Sequence, residues 1–146
     1  MKTLCMITVT IAAMVIVAGT VHAAEIELCV QDINSCNDYA LSIEPTAIPT
    51  IYKINGYEYG CPDTPRRKGR SVFGTLDLAK DTIYLSITVT GFRTADNKFF
   101  NATILYTFDY MTLQGPYEGT QSTAVDGVIR VDGSAKILYP CPPRIS

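Results

Sequence analysis

The side chains equipped for covalent, acid–base or metal chemistry in this 146-residue chain are five cysteines, one histidine and fourteen carboxylates. Where they sit removes several of them at once. Lys2 precedes an apolar run from Leu4 to Gly19, which ends in Val21-His22-Ala23-Ala24. A basic start, a short apolar core and small residues at an A-x-A-like site predict a secretory signal peptide over 1–23. The run falls short of the ~20 apolar residues that a spanning helix needs, and Glu25 and Glu27 follow it immediately. The expected product is one secreted domain, 24–146, with no membrane span. Cys5 and His22 leave with the signal.

Without histidine, the expected domain has no Ser-His-Asp triad, no Cys-His pair and no histidine-containing metal site. Cys29, Cys36, Cys61 and Cys141 make an even set, which in an exported domain reads as two disulfides. Three connectivities exist. The spacing favours Cys29–Cys36, closing a short polar loop, and Cys61–Cys141, tying the tail to the body. Zinc ligation is disfavoured because the paired C-x₂₋₄-C knuckles are missing. A carboxylate-dependent hydrolase needs two facing acids. The available pairs, Asp77 with Asp81, Glu25 with Glu27 and Asp126 with Asp132, all fall at turns or on polar strand faces. The chain therefore reads as non-catalytic, with no cofactor motif.

Binding chemistry is better represented. Arg66, Arg67, Lys68 and Arg70 form a basic cluster suited to an anionic contact, and Arg67-x-x-Arg70 also fits a minimal processing site. Tyr52, Tyr57 and Tyr59 gather near Asn55-Gly56 and supply rigid amphipathic contact area. Asn101-Ala102-Thr103 is an N-glycosylation sequon. Asp32, Asn34, Asn37 and Asp38 fail the spacing of a calcium loop. The formal charge of −2 excludes the basic footprint of a nucleic-acid binder.

The elements that must position these residues are strands. Ile83, Leu85, Ile87 and Val89 alternate with polar residues, as do Ala102, Ile104, Tyr106 and Phe108 in the next run. Further strands are expected near 25–30, 39–43 and 71–78. Asn55-Gly56 and Asp132-Gly133 suit type I′ turns, so tight hairpins are expected around both. Prolines are expected between strands. The fold class is all-β: a small antiparallel sandwich or barrel of about eight strands, stabilised by disulfides. The expected function is secreted binding of a protein, a glycan or another anionic partner. The alternatives are a carrier of a small apolar ligand or lipid, its cavity lined by residues such as Ile83, Leu85, Ile104 and Tyr106, and the carboxylate hydrolase.

Overall fold

The computed structural model describes residues 23–32, 36–60, 70–93, 98–123 and 127–141. Its elements are eight strands: β1 (Ala24–Gln31), β2 (Cys36–Pro45), β3 (Ile51–Gly60), β4 (Arg70–Asp77), β5 (Thr82–Arg93), β6 (Lys98–Asp109), β7 (Gln114–Thr123) and β8 (Gly127–Leu138). Each pairs antiparallel with the next, and β8 returns to β1, closing a barrel. The closing seam is short, pairing Cys29–Gln31 of β1 with Lys136–Leu138 of β8. Eight strands enclose an interior just wide enough for side chains to fill it.

The alternation of apolar and polar residues sets which side chains enter. The register runs Ile26–Leu41–Gly56–Val72–Ile87–Ile104–Gly119 from strand to strand around the wall. One row along it runs Leu28–Tyr39–Glu58–Arg70. Every inward position on β5 and β6 from Ile83 to Val89 and from Ala102 to Phe108 carries an apolar or aromatic side chain. The core cluster draws on all eight strands.

Both Asn-Gly-type hairpins expected from the sequence are absent. Asn55-Gly56 lies in the middle of β3, and Asp132-Gly133 in the middle of β8. The glycines are there for space. A Cβ on Gly56 would stand 2.1 Å from the Ala40 carbonyl oxygen, and one on Gly133 would meet the Tyr117 ring at 2.8 Å. Glycine within a strand marks this kind of close approach. The turns lie elsewhere: at 46–50, at 78–81 with Asp77 accepting from the Ala79 N–H at 3.1 Å, and at 110–113 with Asp109 accepting from Met111 and Thr112.

The disulfide expectation also changes. Cys29 bonds Cys141, with Cα atoms 5.1 Å apart, across a sequence separation of 112. This replaces both Cys29–Cys36 and Cys61–Cys141. The reason is register: Cys29 pairs with Leu138 across the β1–β8 seam that closes the barrel, so the tail beyond β8 passes over Cys29. Cys61 lies outside the described residues. Pro116 is a further departure, since it lies within β7. There β7 pairs with β8 alone, its pairing with β6 beginning only at Tyr117, so the missing N–H leaves no gap in the β6 ladder.

Candidate functional site

Two arrangements concentrate polar and aromatic chemistry. The first is inside the barrel. Glu58 is 1% exposed, facing inward between Tyr39 on β2 and Arg70 on β4. Its Oε1 accepts from the Gly60 N–H at 3.1 Å, and its Oε2 lies 3.0 Å from Arg70 Nη1. Burial pushes the Glu58 carboxyl above its ordinary range, and the Arg70 guanidinium and Gly60 N–H pull it back. The Arg70 side chain is half exposed, so the pair runs from the core to solvent.

Tyr39, Tyr106 and Tyr117 complete this cluster. The Tyr106 and Tyr117 rings face each other across β6 and β7, with centroids 5.5 Å apart, and Tyr106 stacks on Phe108 at 5.6 Å. The Tyr39 hydroxyl is enclosed, coupled to that of Tyr106 but without a well-formed hydrogen bond. Burial is the main cause that raises all three phenols. Tyr106 is pushed up to about 12, with the Asp32 charge adding to the rise, and Tyr39 lies well above its ordinary value. Neutral phenols of this kind donate hydrogen bonds and are poor bases. Glu58 has no second acid opposite it among the described buried carboxylates. Asp38 faces outward, 3.2 Å from the Cys29 sulfur, and Asp77 holds a turn and pairs with Lys80 at 3.4 Å. The cluster is a polar filling for one end of the barrel.

The second arrangement is on the outer wall. Two rows of outward residues cross β1 to β4 in register: Glu27–Ala40–Tyr57–Ser71, and Glu25–Ser42–Asn55–Phe73. Ala40, Ser42, Asn55 and Ser71 are short and form a floor. Glu25 and Glu27 wall one side. Tyr57 and Phe73, 53% and 61% exposed, rise on the other. Strands spaced about 4.8 Å apart put these walls roughly 10–15 Å from each other. The open groove between them has a volume of about 650 Å³.

The sequence-predicted residues are divided between these places. Tyr57 and Tyr59 share the outer face of β3, with ring centroids 6.4 Å apart, whereas Tyr52 turns inward against the core. Arg70 is drawn from the basic cluster into the pair with Glu58; Arg66, Arg67 and Lys68 lie outside the described residues. The Arg70–Ser71 peptide bond lies within β4, paired with β3. Asn101 is exposed on the outer face of β6. Sequence reasoning missed the roles of Glu58, Tyr39 and Phe73. Glu58 offered one signal, an acid in phase with the inward residues of its strand. No protein-family model, curated protein or solved structure matches this chain.

Proposed function

We propose that this chain is a secreted, non-catalytic binding protein that meets its partner, a protein or a glycan, on the outer face of β1–β4. The observation that carries this reading is the location of open volume. Among the described residues, the groove outside the wall offers about 650 Å³, within the range of ligand sites, while the hollow among Ile26, Leu41, Ile54, Leu76 and Ile83 inside measures about 30 Å³. A carrier of a lipid or apolar ligand needs the reverse. Exposed Tyr57 and Phe73 supply the aromatic area common at contact surfaces. The absence of histidine downstream of 1–23 and the separate environments of Asp38, Glu58 and Asp77 support a role other than hydrolysis.

Native mass spectrometry of the protein purified from its own source tests this. The expected spectrum shows the bare chain, or the chain with a glycan or protein partner. A stoichiometric small apolar adduct would overturn the reading in favour of a carrier. The basic segment adds a separable anionic contact. Replacing Arg66, Arg67 and Lys68 with serine should shorten retention on heparin, and unchanged retention would assign that segment no anionic contact.

A further inference from the structure

The barrel closes over three positions, and the rest of β8 stands past the seam. β1 pairs with β8 only at Cys29–Gln31, and Gln31 already stands opposite Cys36 of β2, so β1 goes no further. On its other side β8 pairs with β7, from Gly127 opposite Thr123 to Lys136 opposite Gln114. Among the described residues, no strand lies beside Gly127–Ala135 on the seam side. At ~3.4 Å per residue, that edge is about 27 Å long. Its side chains meet solvent on both faces: Val128 and Ile129, which alternate between outside and inside, are 74% and 44% exposed. β-Branched residues on a solvent-facing edge are a template for another strand.

The outward residues of this edge specify which strand fits. Ala135 and Ile137 point into the core, so Val128, Arg130, Asp132 and Ser134 point outward. Arg130 and Asp132 carry opposite charges on either side of Val131, with side chains 74% and 69% exposed. Residues opposite each other in a sheet share a face, so two antiparallel copies of β8 about a two-fold axis must centre on a single position. Centred on Val131, Arg130 of each copy stands opposite Asp132 of the other, Ile129 opposite Gly133 and Val128 opposite Ser134. An axis through Arg130 or Asp132 would set like charges against each other. One through Gly133 would bring Arg130 to Lys136, where β1 already lies. One through Ile129 would shorten the overlap. The order of charges makes the edge its own complement in one register. Within the chain, Arg130 reaches Glu118 at 3.1 Å and Asp132 at 3.9 Å, and the second copy adds a carboxylate on the seam side.

Beyond the binding face on β1–β4, we infer that this chain forms a two-fold dimer through β8. Val128–Ser134 of one copy pairs antiparallel with the same residues of a second copy, joining the two walls in one sheet. Such an interface is isologous and closes on itself. A contact one strand long buries less than the ~1,200 Å² of a standard interface, so the dimer is transient and grows with concentration.

The test is sedimentation velocity of the 24–146 protein from low micromolar to millimolar concentration, with amide shifts of ¹⁵N-labelled protein over the same series. The wild type is expected to pass from monomer to dimer and no further. The shifting amides should centre on β8, and affinity should fall as salt rises. Arg130→Glu and Asp132→Arg should each weaken the dimer by about tenfold, because each sets like charges opposite one another on both sides of the axis. Both side chains are exposed, so folding should survive. Mixing the two variants puts complementary charges opposite each other again and should restore a dimer about as strong as the wild type's. A wild type that stays monomeric to millimolar concentration would overturn the inference. So would undiminished dimerisation of both variants, which would place the contact on another surface. A mixture no stronger than either variant alone would overturn the register. Association that continues past the dimer would overturn the two-fold axis, replacing it with head-to-tail contact. Shifts confined to β1–β4 would overturn the role of β8 and move the contact to the groove face.

Discussion

The two ends of the barrel interior are filled by opposite chemistries. Toward the turns at 46–50, 78–81 and 110–113, the filling is aliphatic and aromatic: Ile43, Ile54, Leu76, Ile83, Phe108 and Leu113. Leu113 holds a φ of 56°, which a leucine rarely adopts. It stays because its N–H donates to the Asp109 carbonyl at 2.8 Å and its carbonyl accepts from Ile137 at 2.8 Å. Beyond the waist at Gly56, the filling becomes Tyr39, Glu58, Arg70, Tyr106 and Tyr117. The apolar end gains free energy simply from burial, about 25 cal/mol per Å² of apolar surface. The polar end must satisfy each buried group to break even, and it does so only in part. The contrast implies that the apolar end supplies most of the stability, while the polar end sets how stability responds to pH.

The largest expected effect tests the apolar end. Phe108→Ala removes a fully buried ring that stacks on Tyr106 and should cost about 3–5 kcal/mol, read as a lowered midpoint of chemical unfolding. A loss below ~1 kcal/mol would remove the distinction between the ends.

Next comes the waist. Gly56→Ala drives a methyl into the Ala40 carbonyl and should cost about 2–3 kcal/mol. At Gly60, φ is +85° and a Cβ meets nothing, so alanine there pays only for its backbone conformation, about 1 kcal/mol. If the two costs were reversed, Gly56 would be a turn residue after all.

A smaller loss is expected at the polar end. Arg70→Ala leaves Glu58 buried without its partner. Because Arg70 is half exposed, water replaces part of the pairing, and about 1–2 kcal/mol is expected instead of the 3–5 of a fully enclosed pair. Adding Glu58→Gln to that variant should restore much of the loss. A double variant no better than Arg70→Ala would show that the arginine acts by packing.

The smallest effect is a slope. The folded-state pKa of Glu58 is raised, so the folded protein holds this proton more tightly than the unfolded chain. Stability should fall as pH rises from the unfolded carboxylate value through the raised folded one, and level off above it. Opposing this, Asp109 has a lowered pKa from the Thr112 and Met111 N–H groups, so its contribution is lost as pH falls. Glu58→Gln should remove the first slope and leave the second, which unfolding midpoints measured across pH 3–8 would reveal.

Legibility in the sequence was uneven for a physical reason. β5 and β6 were readable because both bury one full face, so period two is written in Ile83–Val89 and Ala102–Phe108. β7 was invisible, because its inward positions are Gly115, Tyr117, Gly119 and Gln121, small or polar where the barrel narrows around neighbouring backbone. The groove was half legible. Tyr57 stood out, but Phe73 and the two acids join it only through register.

Strand content, the even cysteine set, the lack of histidine downstream of 1–23 and the all-β class follow from residue types and local alternation, which a chain carries wherever it folds. Closure, the Cys29–Cys141 pairing and the role of each glycine do not. An Asn-Gly pair tolerates a positive φ and also lacks one Cβ; a local reading sees the first property, and only a neighbouring strand makes the second one matter. In the same way, Tyr52 and Tyr57 are equivalent as residue types. Their odd separation along one strand, together with the choice of which face closes inward, sends one to the core and the other to the groove.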